Sequence, residues 1–408
     1  MKEVIILQNS AAFTVDINQL YAPHTYRLHL IVNPASFSKL QERQQDKLFH
    51  RIYLTEDFGF ESIVGIITTI IADKPAENIS IVTNSEWCVA LCGQLRQHFN
   101  IQGLDAKTAL RFTNKIIMKK SLDPSCIRMP KHLLFDEEQY AADPEDYLNR
   151  IIKELGASIF AKPIDDANSN FTCRIDSSSQ LFAWAQNKEK NKSFELDEYI
   201  EGRVYNVDAI NKNGKILASY VCEYSCPPFE FLMGKPIGNI TLPLEYPGVS
   251  EMLALNHKIL TALSYQGSGA THLEIFKNQA NELVFLEIAA RAGGAWLPRI
   301  YKTRWGFNLF ETNFLSQIDP AFTHKIQPGP YAAFLWYPYL EGTVAAIELP
   351  DLQSKFVLEY NVYQGDKTKK SASLREIAAN ILFWHEDFNK LYEDFSKLKN
   401  LSIIKMIS

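Results

Sequence analysis

Short apolar runs alternate with amphipathic stretches along this chain, and the spacing of apolar positions switches between a period of two and one near 3.6. EVIILQ (3–8), LHLIV (28–32) and RIYL (51–54) read as short strands, and NISIVTNSE (78–86) as a strand running into a loop. Helical spacing appears at 38–49, 60–73 and 87–100. Strands alternating with helices predict a parallel α/β layer. After Gly103 the pattern predicts one amphipathic helix over 105–122, followed by a stretch punctuated by proline and acidic residues over 123–147. A second α/β unit comes next: strand SIFAKPI (158–164), the polar loop DDANSN, a short strand FTCRI and a helix around 178–188. Residues 194–224 predict a strand, a tight turn at Gly202 and a hairpin turning at Asn213-Gly214. A Pro/Gly-rich loop (226–248), a helix (250–264) and another hairpin (270–294) follow. The tail from 330 starts strand-rich and ends in a charged helical segment. These changes of pattern place boundaries that give regions 1–108, 109–192, 193–325 and 326–408, the last of mixed α+β character.

Composition narrows the class. The 408 residues are 46% hydrophobic and 22% charged, with a net charge of −5, so a globular protein is expected and neither nucleic acid nor an anionic membrane surface is favoured as a partner. The most apolar window, IVGIITTII (63–71), is nine residues, whereas a membrane span takes about 20. The apolar run in MKEVIILQNSAAF is too short for a signal-peptide core. Six cysteines without a dense framework suit a reducing, cytoplasmic setting. Cys88/Cys92 and Cys222/Cys226 read as buried thiols, because no histidine cluster completes a zinc site.

The candidate chemistry lies in ATHLEIFKNQANELVFLEIAARAGG (270–294). Strand alternation puts His272, Glu274 and Phe276 on one face and Phe285, Glu287 and Ala289 on the matching face of the return strand. The other face, Leu273 and Ile275 against Val284, Leu286 and Ile288, is expected to be wholly apolar. A short turn sets Glu274 opposite Glu287 or one pair away. Like charges in that relation repel, and a divalent cation between them reverses the sign. Arg291 and Gly293-Gly294 follow at once, offering a guanidinium and closely approaching backbone to a phosphate. Lys162, in the apolar strand FAKPI, needs an anionic partner, while Lys115, Lys119 and Lys120 read by themselves as a solvated basic face.

Taken in order, these residues resemble the ATP-grasp superfamily. THLEIF and FLEIAARAGG stand where its metal strands stand, the stretch 84–122 resembles the segment carrying a first nucleotide lysine (Lys115), and FAKPIDDANSNF the strand and phosphate loop with the second (Lys162) and Ser169. ELDEYIEGRVYNVD resembles the adenine hinge, with Asp197 and Glu198 near the exocyclic amine and Ile200 offering backbone. The order of domains is most similar to the L-amino acid ligase (carboxylate–amine ligase) branch. The resemblance implies a pre-ATP-grasp α/β domain, a lid over 109–192 and a nucleotide and metal subdomain over 193–325. It further implies ATP, with Mg²⁺ (replaceable by Mn²⁺) on Glu274 and Glu287, and a homodimer. Arg291 and Glu287 would be catalytic, Gly293 and Gly294 would approach phosphate, and His272, Arg299 and Arg304 would meet substrate. The expected reaction is activation of a carboxylate, an amino acid, as an acyl phosphate for attack by an amine. The competing expectation is a nucleotide-binding protein with lost or different catalysis. It draws on two departures from the family pattern: Ala289 at the usual metal asparagine and Val204 at the usual ribose acid.

Overall fold

The computed structural model describes residues 1–9, 15–20, 22, 24–72, 74–166 and 169–407. Part of the expected phosphate loop, Ala167 and Asn168, therefore lies outside the described residues.

The N-terminal strands Lys2–Gln8, Tyr26–Val32, Arg51–Leu54 and Ile79–Thr83 form a parallel sheet in the spatial order third, second, first, fourth. Its central strand is apolar on both faces because both are covered. Val4 and Ile6 join one core, which takes in Phe314 and Ile318, and Ile5 and Leu7 join another. The helix expected over 38–49 runs over Pro34–Glu42. Asn33 accepts a hydrogen bond from the Ser36 amide (2.9 Å) and Pro34 occupies the first turn, so capping starts the helix earlier than apolar spacing suggests.

The single helix expected over 105–122 is two short ones, Ala106–Leu110 and Lys115–Lys120. Asp105 caps the first through the Thr108 amide (2.7 Å), and Asn114 restarts the chain by capping the Ile117 amide (3.0 Å). The restart puts Lys115 at the head of the second helix, where its own amide donates to the Ile164 carbonyl at 2.9 Å.

Three antiparallel sheets make up the rest; one has three strands, ordered Lys367–Thr368, Gly342–Ile347, Ile404–Ile407, and the other two frame the site. A small sheet is ordered His132–Leu134, Phe194–Glu198, Ile159–Pro163, Cys173–Ile175. A sheet of eight strands is ordered Leu283–Ala289, Gly269–Asn278, Gly202–Lys212, Lys215–Tyr224, Ile237–Thr241, Tyr331–Pro338, Ile377–His385, Lys355–Tyr360. It crosses the boundary expected at 325/326, because Ile237–Thr241 pairs directly with Tyr331–Pro338. Likewise Phe194–Glu198, placed by sequence beyond the 192/193 boundary, is a strand of the small sheet. The hairpin turns at Asn213-Gly214 and at 279–282 are where the pattern put them.

One face assignment in the second hairpin is corrected. Glu274 pairs with Glu287, but Ile275 pairs with Phe285, so Leu286 is an extra residue in a bulge. The bulge reverses parity. Phe285 enters the main core beside Leu273 and Ile275, and Leu286 turns to the opposite side.

All six cysteines are free, and four of them, Cys88, Cys92, Cys222 and Cys226, are buried. No helix among the described residues is long and apolar enough to cross a membrane.

Candidate active site

A cleft of about 770 Å³ separates the small sheet from the end of the large one. Its apolar walls are Pro130, Phe160, Pro227, Phe229, Phe276 and Leu286. Lys115, Lys162, Ser169, Asp197, Glu198, Ile200, Glu274 and Glu287 also line it, so eight residues singled out from distant parts of the sequence meet at one place. The Pro/Gly-rich loop supplies a wall through Pro227, Pro228 and Phe229. Between the strands ending at Glu198 and starting at Gly202, the Ile200 amide and carbonyl have no backbone partner among the described residues. Free backbone beside apolar walls is what a flat heteroaromatic base needs.

The charged floor and roof are connected. Lys115 Nζ lies 3.4 Å from Glu287 and donates to the Asp166 carbonyl at 2.8 Å. Burial works to raise the Glu287 carboxyl, but Lys115, Lys162 and Arg291 hold it below the usual carboxylate range. Lys162 sits 2.9 Å from Asp197 and 3.9 Å from Glu195. Burial opposes its charge, yet Asp197, Glu195 and Glu287 raise it above an ordinary lysine. The buried Lys162 Nζ meets the Asp197 carboxylate within hydrogen-bond distance but Glu195 only at ion-pair range. An ammonium has three protons to place, so an incoming anion fits there.

The deepest ion cluster was not legible as such. Lys119, expected on a solvated face, is fully buried and lies 2.6 Å from both Glu195 and Asp197. Asp197, expected near a base amine, turns its carboxylate to these lysines. Burial disfavours that carboxylate's charge, but Lys119 and Lys162 hold it well below the usual range, while burial and the Asp197 charge push Glu195 up. Two signals were available: Glu195 and Asp197 alternate on one face of an otherwise apolar strand, and Lys115 and Lys119 share a helix face. Glu198 instead pairs with Arg128 at the cleft rim.

Behind Glu274 runs a buried polar chain. Tyr224 donates its hydroxyl hydrogen to Glu274 Oε1 (2.6 Å), and His272 Nε2 lies 3.4 Å from the same oxygen. His272 Nδ1 meets Asp208 at 2.8 Å, and Asp208 also accepts from Tyr301 (2.7 Å) and Asn206 (2.6 Å). His272 is thus a support for Glu274 and does not line the cleft. The two glycines do not line it either. A Cβ on Gly293 would come within 2.7 Å of His272 Nδ1 and 3.0 Å of Asp208 Oδ1, so this glycine makes room for that pair, whereas Gly294 faces open space.

Arg291 is held at 2.5 Å by Glu86, from the N-terminal domain, and its charge reaches Glu274. Arg299 and Arg304, expected at substrate, stand elsewhere. Arg299 is exposed, stacked over Trp296 and paired with Glu359 at 2.8 Å. Arg304 stacks over Tyr331 and donates to the Gly329 carbonyl (2.5 Å).

Burial lowers the His272 pKa, but Asp208 more than offsets it and lifts it to about 9. A raised folded-state value means that protonation stabilises the fold fully below the unfolded value of about 6.5. That contribution is lost as pH climbs through about 9. Stability measured by denaturant titration is therefore expected to fall across this window. His272→Asn should flatten the slope, and an unchanged slope would remove His272 as its source.

No family model matches the sequence. The chain is 26% identical over 310 residues to an L-arginine-specific L-amino acid ligase of Bacillus subtilis, covering 73% of this chain and 69% of that protein. Its fold superposes on an L-amino acid ligase from Bacillus licheniformis with a TM-score of 0.74 and 15% identity, over 100% of this chain and 99% of the other. The chain has the ATP-grasp fold. An ADP-complexed N5-carboxyaminoimidazole synthetase from Staphylococcus aureus shares the ATP-grasp fold at a TM-score of 0.64 and 14% identity, with 96% of each chain covered. In this fold the cleft lies between the four-stranded antiparallel sheet and the eight-stranded one. Glu274 and Glu287 are directly opposed, which suits a hard divalent cation completed by phosphate oxygens. Among the described residues no group of three or more histidine, cysteine or carboxylate side chains is gathered so as to hold a metal ion, and Ala289 faces His272 in the strand register.

Proposed function

We propose that this protein is an ATP-dependent carboxylate–amine ligase whose acid substrate is an amino acid. The observation that carries this reading is the meeting of Lys115, Lys162, Glu274 and Glu287 with the free Ile200 backbone in one cleft. The similarity to an amino acid ligase supports the choice of substrate class. In this reading the Ile200 backbone holds the adenine, Lys115 and Lys162 hold phosphate oxygens, and Ser169 closes on them from the loop. Glu274 and Glu287 would hold Mg²⁺, which spreads the negative charge of the transferring phosphoryl group. Arg291, oriented by Glu86, adds positive charge at the reacting end.

The substrate carboxylate oxygen attacks the γ-phosphorus, and the bond to the β-phosphate oxygen breaks to release ADP. An amine then attacks the activated carbonyl carbon, phosphate departs with the bonding electrons, and the amine proton passes to phosphate or water. Charge stabilisation by positioned cations is the main contribution asked of the protein.

The test is release of ADP and phosphate from Mg-ATP against pooled amino acids and small carboxylic acids. Release that needs both an acid and an amine is expected, with a condensed product of matching mass. Lys162→Ala should weaken nucleotide binding by about tenfold or more, the scale of one hydrogen bond to a charged group. Binding of ATP without any release would instead favour the non-ligase reading, to which the two-carboxylate metal set and the buried Val204 lend support.

A further inference from the structure

The eight-stranded sheet stops at Lys355–Tyr360, whose far edge has no strand beside it among the described residues. Edges of this kind are usually short, charged, twisted away or covered. This one is six residues long, KFVLEY, with Phe356 45% exposed, Val357 47% and Tyr360 46%, and Tyr363 next to it 64% exposed. Phe356 and Tyr360 stand on one face of the strand and Val357 on the other, so the sheet projects past its covering layers on both sides.

The register says which backbone groups are free. The Asn361 amide donates to the Ala378 carbonyl at 2.8 Å, and the two residues fall in the same antiparallel register as Tyr360 with Ala379. Bonded and non-bonded pairs alternate in such a ladder. Val357 and Glu359 therefore bond inward to Ile377–His385, and Phe356 and Leu358 direct their amides and carbonyls outward. We propose that this edge pairs antiparallel with the same edge of a second copy, about a twofold axis through Val357.

Two features favour that occupant and that register. Outward groups must meet outward groups, and an axis at Val357 sets Phe356 opposite Leu358 of the second copy, and Leu358 opposite its Phe356. The same axis sets Lys355 opposite Glu359 at both ends, in the closely spaced non-bonded positions where opposite charges attract. An axis at Leu358 also matches the hydrogen bonds, but it sets Val357 against Glu359 and leaves Lys355 opposite Asn361. Charge complementarity selects the first. Glu359 already meets Arg299 at 2.8 Å, so each end of the pairing becomes a three-charge group. The joined sheets form one continuous sheet across two chains, an isologous arrangement that closes on itself and offers no further edge there.

Sedimentation velocity on the full chain tests this across the micromolar range. The expected species has twice the 46.6 kDa chain mass. Phe356→Pro removes an outward donor and no inward bond, so it should yield a monomer that keeps the wild-type circular-dichroism spectrum and a thermal midpoint independent of protein concentration. Lys355→Glu should raise the dimer dissociation constant at least about tenfold, the effect of about 1.4 kcal/mol. Lys355→Glu combined with Glu359→Lys should restore the dimer, a rescue that misfolding cannot mimic. A monomeric wild type would overturn the proposal. So would a dimer indifferent to both Phe356→Pro and Lys355→Glu.

Discussion

Glu287→Gln is expected to reduce Mg-ATP-dependent turnover by roughly 10²–10³-fold, the scale seen when one preorganised electrostatic partner is lost from a reacting site. The substitution removes a charge and almost no volume. Glu287 lies opposite Glu274 in the strand register and 3.4 Å from Lys115, so it faces both the proposed cation site and a proposed phosphate lysine. With the charge gone, Lys115 keeps its hydrogen bond to the Asp166 carbonyl, and the apolar wall of Phe276 and Leu286 is untouched. Nucleotide should therefore still bind, more weakly, while the dependence of rate on Mg²⁺ concentration moves to higher values. Steady-state phosphate release with magnesium titrated from limiting to saturating amounts reads both effects. Wild-type rates at all magnesium concentrations would exclude Glu287 as a metal ligand.

The largest stability effect is expected at Lys119. Its ammonium lies 2.6 Å from both Glu195 and Asp197 and is wholly shielded from water. Lys119→Met keeps the stem's volume but leaves two buried carboxylates to Lys162 alone. Removing one partner from a buried ion pair costs about 3–5 kcal/mol. The loss should appear in urea as an early transition of the small sheet, because Glu195 and Asp197 are on its central strand pair. Adding Glu195→Gln should recover most of it, since one lysine then faces one carboxylate. Nucleotide affinity should also fall in Lys119→Met, because Lys162 becomes the sole counter-ion of both acids and less available to phosphate. Unchanged urea stability would mean that the cluster is solvated in solution.

What could be read from the sequence follows the range of the interactions involved. The Asn213-Gly214 hairpin, the opposed Glu274 and Glu287, and the strand–helix alternation of the first hundred residues depend on neighbours a few positions apart, and all three are present. The cleft residues were recognised because several weak signals occur in a fixed order. The exceptions depend on groups brought together from far apart. Lys119 is buried only because a strand nearly eighty residues later presents two acids to it. Gly293 is required by the His272–Asp208 pair, which spans two strands. Arg299 and Arg304 are occupied by Glu359 and the Gly329 carbonyl, partners that no local pattern announces. The helix break at Asn114 was local and legible, but apolar spacing outweighed the cap.

The extra residue at Leu286 has a consequence for how this chain tolerates change in length. A deletion is ordinarily judged by the side chain it removes, and leucine at the lip of an open cleft would seem dispensable. Glu287 faces the cleft and Phe285 the core, although strict alternation would set two residues so spaced on one face, because Leu286 is the residue left over in the ladder. Dropping Leu286 would let the ladder close without a kink, with Glu287 still opposite Glu274 and Phe285 still opposite Ile275. Leu286→Ala shortens a wall; loss of the residue removes the wall and the kink together and leaves the faces of the strand as they are.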